Sequence, residues 1–540
     1  MARSNPFAKL AQSLRRAAFC DTLRVPTSDG LAMAREMERM LHARRSFLKG
    51  AAGLAAGALV AAHPRSVRAA KKTLNVDVAI IGGGLAGLVC ADRLEAAGVT
   101  PTIYEASERL GGRCHTLGGA FGGPLSFPGQ VAERGGEFID NLHKTMLAYA
   151  NEFGLAKEDV TKEPGEVFYY FDGEHVPEED IVEEYRAFVP AMRADLRASS
   201  GAPTADAYND ADLELDHTSL AEYLESRGAG PWAYKAIEEA YVAEYGRELD
   251  EQSSLNFLLF IHADRRSKFT PFGVFSDERW HITGGNQQIP ALIAERLDAP
   301  NQLGHRLVRA RKNAAGRVEL SFRVGNQTVT RTHDAVVFAL PFSVLRHAEL
   351  DASLALPAWK RQAIDELGYG TNAKLMLGFD GRPWRELGSN GSAYADLPEV
   401  QTVWETNPTL GNASRGILTD YSGGLRGAAL DPMRTQQHAA SFLAGLEQVF
   451  PGVAAAATRT QGNKLRAHLE HWPSNPLSQG SYTCYLPGQF TSLADNEGKS
   501  VGNLYFAGEH ANSFYEWQGF MEGACLSGLD AADAILDDWG

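Results

Sequence analysis

The chain has 540 residues, 44% of them hydrophobic, which is enough apolar material for two domains with sizeable cores. Its composition excludes a disordered, collagen-like or disulfide-based scaffold. The net charge of −15 argues against nucleic acid as a partner, because nucleic-acid binding depends on basic residues that neutralise phosphates. The five cysteines show no C-x-x-C or other metal-ligand spacing, so we expect no structural metal.

Residues 1–70 have the pattern of a targeting segment and leader. Residues 44–49 read Arg-Arg-Ser-Phe-Leu-Lys, and an apolar run over 51–62 follows that is too short to span a bilayer. A small-residue cleavage site follows at 67–69. This arrangement resembles the signal of the twin-arginine export route. We therefore expect a periplasmic or extracellular protein without a stable membrane span.

The stretch 76–87 organises the chain behind this leader. An apolar run rich in Val and Ile predicts a buried parallel strand, and a helical pattern follows over Leu85–Ala97. Between them lie three glycines with G-x-G-x-x-G spacing: Gly82, Gly84 and Gly87. The helix N-terminus offers unpaired N–H groups to a diphosphate. Glu105 ends a second predicted strand over 100–104, where it can accept hydrogen bonds from both ribose hydroxyls. Together these features predict a dinucleotide-binding unit.

The next motif extends the predicted dinucleotide-binding unit. Residues 105–113 read E-A-S-E-R-L-G-G-R, which places Arg109 and Arg113 around a Gly-Gly turn, within reach of phosphate oxygens. Here the sequence resembles the flavin-containing amine oxidase superfamily, in which this extension follows the nucleotide fold and holds FAD. The resemblance covers nearly all of residues 74–538.

The resemblance implies an α/β fold in which a Rossmann-like FAD-binding domain is interleaved with an α+β substrate domain, as in the flavin monoamine oxidases. We expect the FAD-binding domain to comprise residues 71–150, 279–345 and 470–540. The substrate-binding domain is expected to comprise 151–278, which is predicted to be mostly helical, and 346–469.

Further segments match the family's cofactor motifs. The resemblance implies that the Gly-Gly pair ending at Gly136 passes close to the flavin, and that the backbone of Leu307 meets the adenine. Glu509, in an Ala-Gly-Glu motif, would accept from a ribityl hydroxyl, and the N–H of Met521 would point at the flavin edge where negative charge collects. The predicted cofactor-binding residues are Gly82, Gly84, Gly87, Glu105, Arg109, Gly112, Arg113, Gly136, Leu307, Trp472, Gly508, Glu509 and Met521.

Three further residues are implied to carry catalysis. Lys374 lies in a predicted strand, where family members place a lysine that is linked through a water to flavin N5. Tyr482 and Phe520 correspond to two facing rings of an aromatic cage that would sandwich an uncharged amine above the flavin. Ser481 replaces the cysteine that carries FAD covalently in mitochondrial monoamine oxidases. Cys484 is expected to face the other side of a strand, so we predict non-covalent FAD.

The leading functional hypothesis is FAD-dependent oxidation of a small amine to an imine, which hydrolyses to an aldehyde or ketone. Oxygen or an electron carrier such as a cytochrome would reoxidise the flavin. An L-amino acid oxidase is the nearest alternative, although such enzymes usually carry an arginine just after the Gly-Gly pair, where this chain has Glu137, Phe138 and Ile139. A desaturase or porphyrinogen-oxidase-like flavoprotein is the second alternative, and a flavin-binding sensor without turnover belongs to another class. A homodimer is the assembly considered, although no residue pattern specifies it.

Overall fold

We describe the fold from a computed structural model, which covers residues 74–122, 127–162, 164–262, 277–407 and 415–540. The targeting segment predicted over residues 1–70 lies outside the described residues. In the described ranges the helices are α1 (Leu85–Ala97), α2 (Lys144–Glu152), α3 (Glu178–Ala198), α4 (Asp210–His217), α5 (Leu220–Ser226), α6 (Pro231–Tyr245), α7 (Ser254–His262), α8 (Gln288–Arg296), α9 (Phe342–Leu345), α10 (Ala358–Glu366), α11 (Pro383–Glu386), α12 (Gly424–Ala429), α13 (Thr435–Val449) and α14 (Met521–Trp539).

The same ranges contain the strands β1 (Val78–Ile81), β2 (Thr102–Tyr104), β3 (Thr116–Gly118), β4 (Val131–Glu133), β5 (Lys157–Asp159), β6 (Glu166–Phe171), β7 (Glu174–His175), β8 (Trp280–Ile282), β9 (Asn301–Gln302), β10 (Arg306–Lys312), β11 (Val318–Val324), β12 (Gln327–His333), β13 (Ala335–Phe338), β14 (Glu349–Leu350), β15 (Ala373–Phe379), β16 (Ser389–Leu397), β17 (Val400–Glu405), β18 (Gly416–Ser422), β19 (Ala467–His471) and β20 (Leu504–Phe506).

A parallel five-stranded sheet of order β20-β13-β1-β2-β9 forms the nucleotide-binding part of the fold. All four residues of β1 are buried, as the apolar sequence predicts for a strand covered on both faces. The helices α1 and α14 pack against this sheet in one apolar core, to which Leu88, Val337 and Ile535 contribute. The sheet therefore joins strands that are separated by more than 400 residues of sequence.

A seven-stranded mixed sheet of order β19-β15-β18-β17-β16-β6-β7 forms the second layer. Strand β15 lies between β18 and β19, and all seven of its residues are buried. Strand β19, over Ala467–His471, crosses the domain boundary predicted at residue 470. Strand β14 lies beyond the boundary predicted at 345, yet it pairs with β10. The predicted domain limits thus divide strand β19 and separate β14 from its partner β10. The domain division itself stays a prediction.

Candidate active site

The glycine-rich turn between β1 and α1 is packed too closely for side chains. Gly82 has φ +109°, and an added Cβ would lie 2.3 Å from the carbonyl oxygen of Ala339. A Cβ on Gly87 would lie 2.1 Å from the carbonyl oxygen of Gly82. Gly84 is the N-cap of α1 and provides no side-chain cap, which leaves the first N–H groups of the helix for a ligand.

This turn opens into a cavity of about 540 Å³, a size typical of cofactor and ligand sites. Twelve of the thirteen predicted cofactor-binding residues line the cavity. Gly87 is the exception, because it lies under the turn and packs against Gly82. Of the three predicted catalytic residues, Phe520 is a cavity-lining residue, whereas Lys374 and Tyr482 are not among the residues that line it.

Glu105 and Arg109 bind the loops that border the cavity as well as lining it. The Glu105 carboxylate accepts the N–H of Gly83 and that of Ser107, each at 2.8 Å. Arg109 donates from Nη2 to the carbonyl of Gly112 at 2.6 Å. Carboxylate oxygens can accept more than one hydrogen bond, so Glu105 keeps acceptor capacity for ribose hydroxyls.

Arg113 joins the front of the chain to its C-terminal part. Its Nη1 donates to the Ser481 carbonyl at 2.6 Å and to Oε1 of Glu509 at 2.9 Å. Thr483 donates to the other carboxylate oxygen of Glu509 at 2.9 Å. Burial opposes ionisation of Glu509, but the Arg113 guanidinium acts together with His510 and the Thr483 hydrogen bond, and the pKa of this carboxyl lies below its usual value. The buried ion pair therefore fixes both segments at one end of the cavity.

Helix α14 begins at the cavity. Its N-cap is Phe520, which provides no side-chain cap, and Met521 and Ala524 line the cavity from the first turn. A Cβ on Gly136 would lie 2.8 Å from the Met521 sulfur, so the glycine allows the 135–136 turn to approach the helix. The helix N-terminus offers positive partial charge to a group in this part of the cavity.

The site contains no nucleophilic thiol in the place predicted for a covalent flavin link. Ser481 is fully buried and donates from Oγ to Asn372 at 2.5 Å. The strand expected around Cys484 is wrong, because this segment is irregular and contributes only a single bridge, Tyr369 to Thr483. Burial raises the pKa of the Cys484 thiol to about 12, and it also raises that of Cys114, which does line the cavity.

Lys374 lies in β15, as predicted, and is buried directly behind the cavity wall. Its Nζ donates to the main-chain carbonyls of Glu133 at 3.1 Å and Gly135 at 2.9 Å. It also forms an ion pair with Glu137 at 2.6 Å. These three acceptors match the three protons of the ammonium group. The predicted water bridge to the flavin would therefore require one of these bonds to open.

Tyr482 and Phe520 belong to different aromatic groups. Tyr482 accepts from the hydroxyl of Tyr421 at 3.1 Å and donates to the carbonyl of Glu244 through a short hydrogen bond. The apolar cluster around it contains Phe138, Val160, Ala243, Trp404, Tyr421 and Trp472. The Phe520 ring packs edge-on against Trp517 at 5.3 Å and His143 at 5.4 Å. The aromatic cage stays a prediction.

Sequence reasoning missed a charged group on the cavity wall. Arg134 forms a short ion pair with Glu470 and contacts His115 at 3.2 Å, and all three residues line the cavity. Burial, with help from Arg109 and Arg134, lowers the pKa of His115 to about 3, so this imidazole is neutral. Arg134 stands beside the Gly-Gly pair that was recognised, but Glu470 is 336 residues away and no local signal pointed to it.

Comparisons with known proteins agree with this geometry. The family of flavin containing amine oxidoreductases matches residues 85–536. The chain belongs to this family. The family membership confirms the predicted resemblance and identifies the protein as a flavin-dependent oxidoreductase that acts on amines.

Individual relatives cover most of the chain. An L-amino-acid oxidase from Siganus canaliculatus is 26% identical over 487 residues, covering 85% of each chain. An L-amino acid dehydrogenase from Synechocystis sp. is 25% identical over 480 residues, covering 86% of this chain and 95% of the relative. The solved structure of cyclohexylamine oxidase from Brevibacterium oxydans IH-35A is 22% identical, with a TM-score of 0.70 over 86% of this chain and 99% of the other. The structural likeness confirms the predicted fold.

Within the described ranges no helix has the length and apolar character needed to cross a membrane. In the same part of the chain, no group of three or more His, Cys, Asp or Glu side chains is arranged to hold a metal ion.

Proposed function

We propose that the protein binds FAD without a covalent link and oxidises amines that carry no carboxylate beside the reacting carbon. The observation that carries the substrate choice is the environment of Glu137. This residue follows the Gly-Gly turn at the cavity, where the resemblance places an arginine in L-amino acid oxidases. A glutamate there, ion-paired to Lys374, provides no guanidinium to bind a substrate carboxylate.

The residues present fit FAD. The N-terminus of α1, which has no side-chain cap, and the side chains of Arg109 and Arg113 can bind a diphosphate. Glu105 can accept hydrogen bonds from the adenosine ribose. The N-terminus of α14 suits a ring edge that gains negative charge. When bound, the flavin accepts a hydride equivalent from the carbon next to nitrogen. The protein's part is to hold the amine in its neutral form over the ring and to exclude water.

Non-covalent binding is supported by the lack of a reactive thiol at the position of the family's linking cysteine. Ser481 replaces the linking cysteine, and burial keeps the Cys114 thiol protonated. Denaturing the protein with acid should therefore release all the flavin, and chromatography of the supernatant identifies it as FAD or as a shorter flavin. Flavin retained by the precipitated polypeptide would contradict the proposal.

A second candidate function is oxidation of L-amino acids. It is favoured by the 25% and 26% identity to an L-amino acid dehydrogenase and an L-amino-acid oxidase over most of the chain. An arginine from the predicted substrate-binding domain would then bind the substrate carboxylate. The two candidates differ only in whether the substrate carboxylate is tolerated.

Matched substrate pairs separate the two candidates. Tyramine against L-tyrosine, and phenethylamine against L-phenylalanine, differ only in the carboxylate. We expect kcat/KM for the amine to exceed that for the amino acid by at least about tenfold, which corresponds to about 1.4 kcal/mol for burying a substrate carboxylate without a cationic partner. A preference for the amino acids would establish the second candidate instead.

We also propose export by the twin-arginine route, on the basis of Arg44 and Arg45 and the short apolar run behind them. Replacing both arginines with lysine should retain the protein in the cytoplasm, whereas unchanged export would contradict this route.

Oxygen or a cytochrome would accept the electrons from the reduced flavin. A homodimer is the assembly to be tested, by light scattering.

A further inference from the structure

The ion pair between Lys374 and Glu137 lies directly behind the cavity wall. Glu137 is 2% exposed and Lys374 is 4% exposed, so water contributes little screening. The second carboxylate oxygen of Glu137 accepts the indole N–H of Trp404 at 3.1 Å. Both ions are therefore held in one geometry by partners on separate strands.

The ion pair lies behind the Gly135–Gly136 turn, which borders the cavity. Lys374 donates to the carbonyl of Gly135, and the next residue, Gly136, lines the cavity and packs against Met521 at the start of α14. Asn286 fixes the same turn from the other side, because its Nδ2 donates to the carbonyls of Gly136 at 3.1 Å and Glu137 at 2.6 Å. A charge on Lys374 would therefore act on the end of the cavity beside α14.

Glu137 removes most of that effect. A lone ammonium acts at a distance as a full positive charge, whereas an ammonium 2.6 Å from a carboxylate acts as a dipole, whose potential falls more steeply. Glu137 also accepts the third N–H of Lys374, which would otherwise be able to donate to a water on the cavity side. The carboxylate thus cancels the charge and occupies the donor.

We propose that Glu137 is a positioning residue that neutralises Lys374 and thereby slows electron transfer from the reduced flavin to oxygen. In that step two electrons and two protons pass to oxygen, giving hydrogen peroxide and oxidised flavin. The transfer begins by placing negative charge on oxygen, and a net positive charge nearby would stabilise it. The proposal rests on the flavin of the proposed function and is independent of the substrate.

The test measures reoxidation of holoenzyme whose flavin has been reduced by dithionite, so that a wrong substrate assignment cannot affect it. E137Q keeps the size of the side chain and removes the carboxylate that pairs with Lys374. We expect E137Q to react with oxygen at least about tenfold faster than the unchanged protein and to show a more positive flavin midpoint potential. A rate that is unchanged or slower overturns the proposal.

Two further variants separate charge from structure. E137D keeps the negative charge and should keep the original potential and the original oxygen rate within about threefold, whereas a merely structural role would make it resemble E137Q. The double variant E137Q/K374M contains neither ion and should lose the acceleration expected of E137Q; a double variant that reacts as fast as E137Q would show that the effect does not come from Lys374 and would overturn the proposal. A tenfold fall in the double variant would show that Lys374 acts as a free charge despite Glu137, and would overturn the proposal.

Discussion

Substitution of Gly87 by alanine tests the close contact on which the nucleotide-binding turn depends. The added Cβ would lie 2.1 Å from the Gly82 carbonyl oxygen, about 1.3 Å short of the 3.4 Å at which ordinary contact begins. The opposing atom belongs to the backbone, so the strain can be relieved only by moving α1 away from β1. Overpacking of this kind costs about 1–3 kcal/mol, and the helix N-terminus would move away from the diphosphate.

We therefore expect Gly87→Ala to lower the free energy of unfolding by about 1–3 kcal/mol and to weaken FAD binding about 10- to 100-fold. Urea unfolding and fluorescence titration of FAD measure the two effects. Gly462→Ala is the matched control, because its Cβ meets nothing closer than 3.9 Å and should leave both values unchanged. A Gly87→Ala protein with the stability and FAD affinity of the control would refute the reasoning.

Three further predictions concern the Arg113–Glu509 ion pair, the hydrogen bond from Trp404 to Glu137, and the protonation state of the bound amine. Glu509→Gln leaves Arg113 without its charge partner and should cost about 3–5 kcal/mol at pH 7, measured by denaturant unfolding. Because the folded-state pKa of Glu509 is lowered, this contribution is present above the unfolded pKa and shrinks as the pH falls below it, so a pH-independent difference would contradict the assignment. Trp404→Phe removes a buried donor to Glu137 and should cost about 1–3 kcal/mol while FAD affinity stays unchanged, since Trp404 does not line the cavity; a large loss of affinity would place it at the cofactor. For an amine bound in its neutral form, kcat/KM should rise with pH through the ionisation of free substrate or enzyme, and a flat profile between about pH 6 and 9 would count against this binding mode.

Local sequence signals predicted the elements around the cofactor closely. The helix over Leu85–Ala97 has the predicted bounds, because its apolar pattern starts after the glycine turn and Gly98, at φ 94°, ends it. The second strand was predicted from residue 100 and begins at Thr102, since Pro101 has no N–H for the sheet. In both cases the residues that set the bounds of the element lie within it or next to it in the sequence.

Long-range pairings could not be predicted in the same way. Alternation around Lys374 predicts a strand but not whether its side chain is exposed, and burial results from the flanking strands β18 and β19. The partner of Lys374, Glu137, lies 237 residues away, and the local sequence around Glu137 gives no sign of this pairing. The segment at Tyr482 is fixed by the 368–370 backbone and by Arg113, so its irregular shape has no local pattern to reveal it.

Anaerobic titration of the purified holoenzyme with amines shows directly whether they reduce the bound flavin. We expect an amine without a carboxylate to bleach the flavin absorbance near 450 nm stoichiometrically, at a rate that depends on amine concentration. The same protein should be bleached far more slowly by the corresponding L-amino acid. A flavin that dithionite reduces but that no amine in a panel of mono-, di- and polyamines bleaches would contradict the account.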